Sequence, residues 1–147
     1  MTAEIIVFIF IQGLLFTAAL MDIFMQEVYD LVWFFFIPAG TALVFIRGEI
    51  SAGIVISLFI YFLIQEYIMR RVYGRADCHA LWCCGLFFSA YGGELEIYTL
   101  HMTVTFILMC IHQLIKKNIT SGFRLKKEIP MIPYILVSFW IVYDIMG

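Results

Sequence analysis

Charge is scarce in this chain of 147 residues: 14% are Asp, Glu, Lys or Arg, against about 25% in an ordinary soluble domain. Hydrophobic residues make up 64%, and the mean hydropathy of +1.00 places much of the chain in lipid rather than water. The sequence also lacks any internal repeat, polar linker or low-complexity segment, so a single unit, residues 1–147, is expected at this length. No Gly-rich nucleotide fingerprint appears, and the apolar runs leave little mass outside a membrane, so no methylating second activity is expected. The four cysteines form no pair of Cys-x-x-Cys knuckles, and no metal or other cofactor is expected. The first apolar stretch has neither a basic n-region nor a small-residue cleavage site before Asp22, so it reads as a retained span rather than a signal peptide.

What is present is a series of apolar runs near the ~20 residues that a bilayer core requires. They cover Glu4–Met21, Leu31–Ile46, Ala52–Met69, Cys78–Tyr91, Leu95–Ile115 and Ile129–Ile145. Lipid cannot satisfy backbone groups, and the runs show no period-2 alternation, so they are expected to be helices. The fold class is therefore all-α, a polytopic membrane protein with six transmembrane helices. Charge and glycine gather in the breaks: Asp22–Asp30, Arg47–Ser51, Arg70–Asp77, Gly92–Glu94 and Lys116–Glu128.

Alternate breaks share a side of the membrane. Arg70, Arg71, Arg75, Lys116, Lys117, Arg124, Lys126 and Lys127 fall on one side, and Arg47 is alone on the other. The positive-inside rule makes the basic side cytoplasmic and puts both termini outside. The net charge of −2 conceals this asymmetry. Topology accounts for the basic residues, so no nucleic-acid partner is implied, and the Lys116–Glu128 loop has at most a lesser role against anionic lipid or a substrate tail.

Three aspartates lie in cytoplasmic breaks: Asp22, Asp30 and Asp77. Two spans separate Asp22 from Asp77, so both carboxylates reach the same face. The span after Asp77 has only ~14 residues, ~21 Å of helix, which draws Asp77 below the surface. Two carboxylates together in a low dielectric share a proton and serve as general base and general acid, the requirement of aspartic peptide hydrolysis. Such a pair titrates as a unit, so neither role is assigned to either residue. The bland readings are an N-cap for Asp77 and an interfacial stop for Asp22.

The stretch "GRAD", Gly74 to Asp77, resembles the G-x-G-D loop of the type 4 prepilin peptidases, membrane aspartic endopeptidases that remove the leader of pilin-like precursors. "DIFMQEVYD" resembles their D-x5-I-P-N pattern, with Asp22 in register and Asp30 where Asn is usual. "EIPMIPYILVSF" resembles the "IPFGP" start of their last span through Ile129, Pro130 and Pro133. The resemblance covers essentially the whole chain, in its short form without a cysteine-rich cytoplasmic insertion. It implies catalytic roles for Asp22 and Asp77, and a loop at Gly74 that admits the substrate backbone. It also implies a peptide substrate with a basic leader ahead of an apolar helix, in the cell membrane of a prokaryote. Ala76 stands for the second glycine, Tyr29 and Asp30 for Pro-Asn, and Ile132 for the glycine between the prolines. These departures indicate a divergent member.

Asp30, Glu66 and His112 are candidates for supporting the site. Glu66 lies within the third span, where an ionisable group is a functional suspect, with pairing to Arg70 at i+4 as the plainer account. His101 and His112, about three turns apart, share a helix face, and packing is the plainer role for His112. The cysteines read as buried small hydrophobes, and "WFFF" as lipid-facing or interfacial. The competing reading is a non-catalytic membrane subunit, carrier or inactive homologue whose carboxylates bind ions, protons or a partner. Carriers usually show repeated halves with broken midplane helices, and neither is evident here. The sequence is silent on oligomeric state.

Overall fold

The computed structural model describes residues 2–48, 50–119 and 129–147, and these are all-helical, with no strand among them. Six α-helices follow in order: α1 (Thr2–Met25), α2 (Asp30–Arg47), α3 (Ala52–Leu63), α4 (Arg75–Ser89), α5 (Leu95–Ile119) and α6 (Ile132–Met146). α3 runs on through a π-helical turn, Ile64–Ile68, and a 3-10 turn, Met69–Arg71. Most of the basic 116–128 loop lies outside the described residues.

Among the described residues, four helical stretches are long and apolar enough to cross a membrane: Ala3–Met25, Asp30–Arg47, Ala52–Arg71 and Leu95–Lys116. Their outer faces carry large apolar side chains that water would not tolerate in such density, including Phe24 (79% exposed), Phe34 (68%) and Ile6 (66%). α4 and α6 are shorter, at 15 residues each. α4 is the central element, buried almost all round from Cys78 to Ala90, as expected of a helix that is apolar on every face. Cys78, Cys83 and Cys84 are part of that buried surface.

Close packing on α4 explains two glycines. A Cβ at Gly40 of α2 would come within 2.9 Å of Leu86, and one at Gly85 within 3.0 Å of Tyr61. α4 ends in a Schellman-type turn: Gly92 adopts φ +75°, and Gly93 N–H donates to the Phe88 carbonyl at 2.9 Å. α5 and α6 are joined by polar groups, as membrane helices often are. Thr105 and Ser138 hydroxyls meet at 2.5 Å, and buried His101 donates from Nε2 to the Ile135 carbonyl.

Helix ends establish the alternation. Arg47 at the end of α2 pairs with Glu4 at the start of α1 and lies over the Tyr91 ring beyond α4. At the opposite end of the bundle, the end of α1 meets the start of α6 through Asp22. Several boundaries differ from those expected: α5 runs on to Ile119, α6 begins at Ile132 rather than Ile129, and two more bear on the site. α1 continues past Met21 because Ile23, Phe24 and Met25 extend its apolar run, so Asp22 sits within its last turns rather than in a break. α4 begins at Arg75 rather than Cys78, with Gly74 as its N-cap. The "WFFF" stretch is also divided: Phe34 and Phe35 are exposed, whereas Trp33 and Phe36, one turn apart, share the buried face.

Candidate active site

Asp22 and Asp77 line one cleft of about 180 Å³ at the α1-end, α4-start, α6-start pole of the bundle. The same cleft is walled by Gln26, Glu27 and Val28 after α1, by Gly74, Arg75 and Ala76 at the start of α4, and by Ile129, Pro130 and Met131 before α6. All three segments that carry the prepilin-peptidase resemblance thus converge on one space.

Each carboxylate is held by a helix start. Asp22 Oδ2 accepts the Ile132 N–H at 2.9 Å, across 110 residues of chain. Ile132 is the first residue of α6, whose N–H has no partner inside its own helix. Pro133 in that first turn loses no intrahelical bond, which is where proline is best tolerated. Asp77 occupies the third position of α4 and reaches back to the Gly74 N–H, Oδ2 to N 3.2 Å. It is not the N-cap itself; it makes the returning half of a capping box, in the helix turn where negative charge is favoured.

Gly74 keeps an ordinary φ of −65°. Its use is space: a Cβ there would stand 3.2 Å from Asp77 Oδ2. The left-handed residue of the site is Gln26, at φ +57°, the one non-glycine residue with positive φ among those described. It stops α1 and turns Glu27 and Val28 into the cleft wall.

Asp77 lies ahead of the apolar run of α4, and its pKa is raised to about 6. Burial is the main cause, the Asp22 carboxylate the second, and the Gly74 N–H opposes both. Low dielectric and a like-charged neighbour act together on it. A carboxyl group raised toward neutrality beside a second carboxyl group is the kind of pair that can activate water and protonate a leaving amine.

The supporting candidates fall elsewhere. Asp30 is exposed at the start of α2 and is not among the residues lining the cleft. Glu66, in the π-helical turn, pairs with Arg70. His112 packs edge-on against Tyr134 of α6 and lines a neighbouring cleft. Sequence reasoning missed Gln26, Glu27, Arg75 and the Ile132 amide. Charge in a break reads as solvated surface, and a backbone donor leaves no residue-type signal. Compared with known protein families, with curated proteins and with solved structures, the chain matches none.

Proposed function

We propose that the chain is an integral membrane aspartic endopeptidase that cleaves the leader of prepilin-like precursors at the cytoplasmic face of a prokaryotic cell membrane. The observation that carries this reading is the shared cleft: Asp22 lines the same small space as Gly74 and Asp77, more than fifty residues further along the chain. The dyad activates a water for attack on the scissile carbonyl and returns a proton to the amine. Neither a metal nor a nucleophilic side chain takes part. All six helices cross the bilayer, and the two shorter ones, ~22 Å each, are matched by local thinning. Both termini lie outside, following the eight-to-one distribution of basic residues.

Depth and position define the substrate. A carboxylate pair at the membrane face reaches a peptide bond at the boundary of a substrate helix, because a regular helix at mid-bilayer keeps its carbonyls in its own hydrogen bonds. A glycine before the cut unwinds that boundary. The test is purified protein in lipid vesicles with leader-bearing precursors, read by mass spectrometry. One cut ahead of the apolar helix, lost in Asp22→Asn and in Asp77→Asn, is the expected result. Cleavage deep within the apolar helix, or none in any such precursor, overturns the proposal.

The competing reading, carboxylates with a purely structural or ion-binding role, draws on one specific observation: both accept backbone N–H groups at helix starts. It requires that activity be absent and that both Asn variants keep every other property.

A further inference from the structure

A second cleft, about 230 Å³, adjoins that of the dyad and shares Gln26, Ile129 and Pro130 as its wall. Its chemistry is opposite. The dyad cleft holds three carboxylates, Asp22, Glu27 and Asp77. The second is lined by His112 and Lys116 of α5, Tyr134 of α6 and Ile23 of α1, with no acidic side chain among its described residues. His112 and Lys116 are four residues apart, so they lie on one face of α5 within its last two turns. His112 is braced edge-on against the Tyr134 ring, 5.6 Å between centroids. Imidazole, ammonium, phenol and the Gln26 amide are all hydrogen-bond donors, and together they suit an oxyanion.

We infer that this cleft binds the phosphate headgroup of an anionic phospholipid. Three features favour lipid over a soluble anion or a peptide carboxylate. The cleft lies where α1, α5 and α6 meet at the membrane face, the position of basic headgroup pockets between membrane helices. Ile23, part of its lining, is itself 46% exposed on the outer surface, so the cleft opens sideways into the bilayer. Below it on α5, Ile111, Leu114 and Ile115 present exposed apolar side chains against which an acyl chain packs. Lys116 is already engaged within the molecule, and the headgroup joins that set rather than filling an empty charge. The shared wall links the two clefts: an occupied headgroup site braces Gln26 and Pro130, which border Asp22 and Asp77.

The experiment uses the full chain released from vesicles of equal phosphatidylglycerol and phosphatidylcholine, with retained lipid read by native mass spectrometry. Wild type retains phosphatidylglycerol about fivefold or more over phosphatidylcholine. Lys116→Gln and His112→Leu/Lys116→Gln bring the ratio to near parity, and Arg71→Gln, at an exposed position on the same face, leaves it unchanged. Thermal unfolding of each variant shows that the fold is kept, and Lys116→Gln alone decides should the double variant fail to fold. Equal retention of the two lipids by wild type overturns the site. So does an equal loss in Arg71→Gln, which reports diffuse surface charge. Displacement of the lipid by millimolar inorganic phosphate, or by an acidic peptide, assigns the cleft to those anions instead. Lipid retention is read without any cleavage assay, so its outcome is independent of the peptidase proposal.

Discussion

Asp22 caps α6 and, in the proposed peptidase, also belongs to the dyad; two substitutions divide these duties. Its Oδ2 accepts the Ile132 N–H at 2.9 Å, capping α6 from another helix. Removing such a cap costs about 0.5–2 kcal/mol, with the upper part of that range apt for a charged acceptor in a part-buried setting. Asp22→Ala deletes the acceptor and should lower stability by ~1–2 kcal/mol, or ~2–4 °C of Tm per kcal/mol at this chain length. Asp22→Asn keeps a carbonyl oxygen in the same place and should lose less than half as much. Both variants should be inactive, because neither exchanges a proton with water and Asp77. The assays are thermal unfolding in detergent, followed by tryptophan fluorescence, and precursor cleavage by mass spectrometry. Equal destabilisation by Ala and Asn would refute the cap; an active Asp22→Asn protein would refute the dyad.

Gly74→Ala forces the Asp77 carboxylate to yield where a Cβ would stand 3.2 Å from Oδ2. It should reduce cleavage on the order of tenfold by displacing a reacting group, with little change in Tm; unchanged kcat/KM would show that the space is not used. Asp30→Asn should retain most activity, since Asp30 is not among the residues lining the cleft, and a loss as deep as in Asp22→Asn would make Asp30 the true partner. Cysteines introduced in the 116–128 loop should react only with reagents admitted to the cytoplasm, and labelling from outside intact cells would invert the topology.

The helical fold was legible because most of the apolar runs approach the ~20 residues of a bilayer core without period-2 alternation, and the breaks collect the charge. Boundaries were less so. Nothing in "LMDIFM" marks Asp22 as helical rather than terminal, because the apolar residues after it belong equally to a span or an interfacial turn. Asp22 and Asp77 were expected at one end of the bundle because two helical runs separate them, and they do line one cleft; Gly74 was singled out only through the resemblance carried by "GRAD". The role of "EIPMIP" was not legible, because what it supplies is an amide at the start of α6, and only the fold brings that amide to Asp22. Glu27 and Arg75 were hidden for a related reason: the left-handed Gln26 that turns Glu27 into the cleft carries no glycine to announce it.

The choice of two aspartates is itself informative. A helix start needing only an acceptor can also be served by Asn or Ser, and a charge adds to the cap only while it stays solvated. Here a second carboxylate stands close enough to raise Asp77, on top of its burial, to a pKa of about 6. A group whose folded pKa exceeds its unfolded value, near 3.8, stabilises the fold relative to its ionised form only in acid. That advantage is complete below about 4 and lost as the pH rises through about 6. Above pH 6, therefore, the ionised Asp77 is a cost of about 1–3 kcal/mol to the native state. Asp77→Asn keeps the acceptor for the Gly74 N–H and removes the charge, so at pH 8 it should unfold at a higher temperature than wild type. The gap should shrink as the pH falls through about 6 and close below the unfolded value of 3.8, where wild-type Asp77 is protonated in both states. Activity should vanish throughout, the pattern of a strained functional group rather than of a cap. A lower Tm for Asp77→Asn at pH 8 would mean that the charge stabilises the fold, and that Asp77 is a structural cap after all.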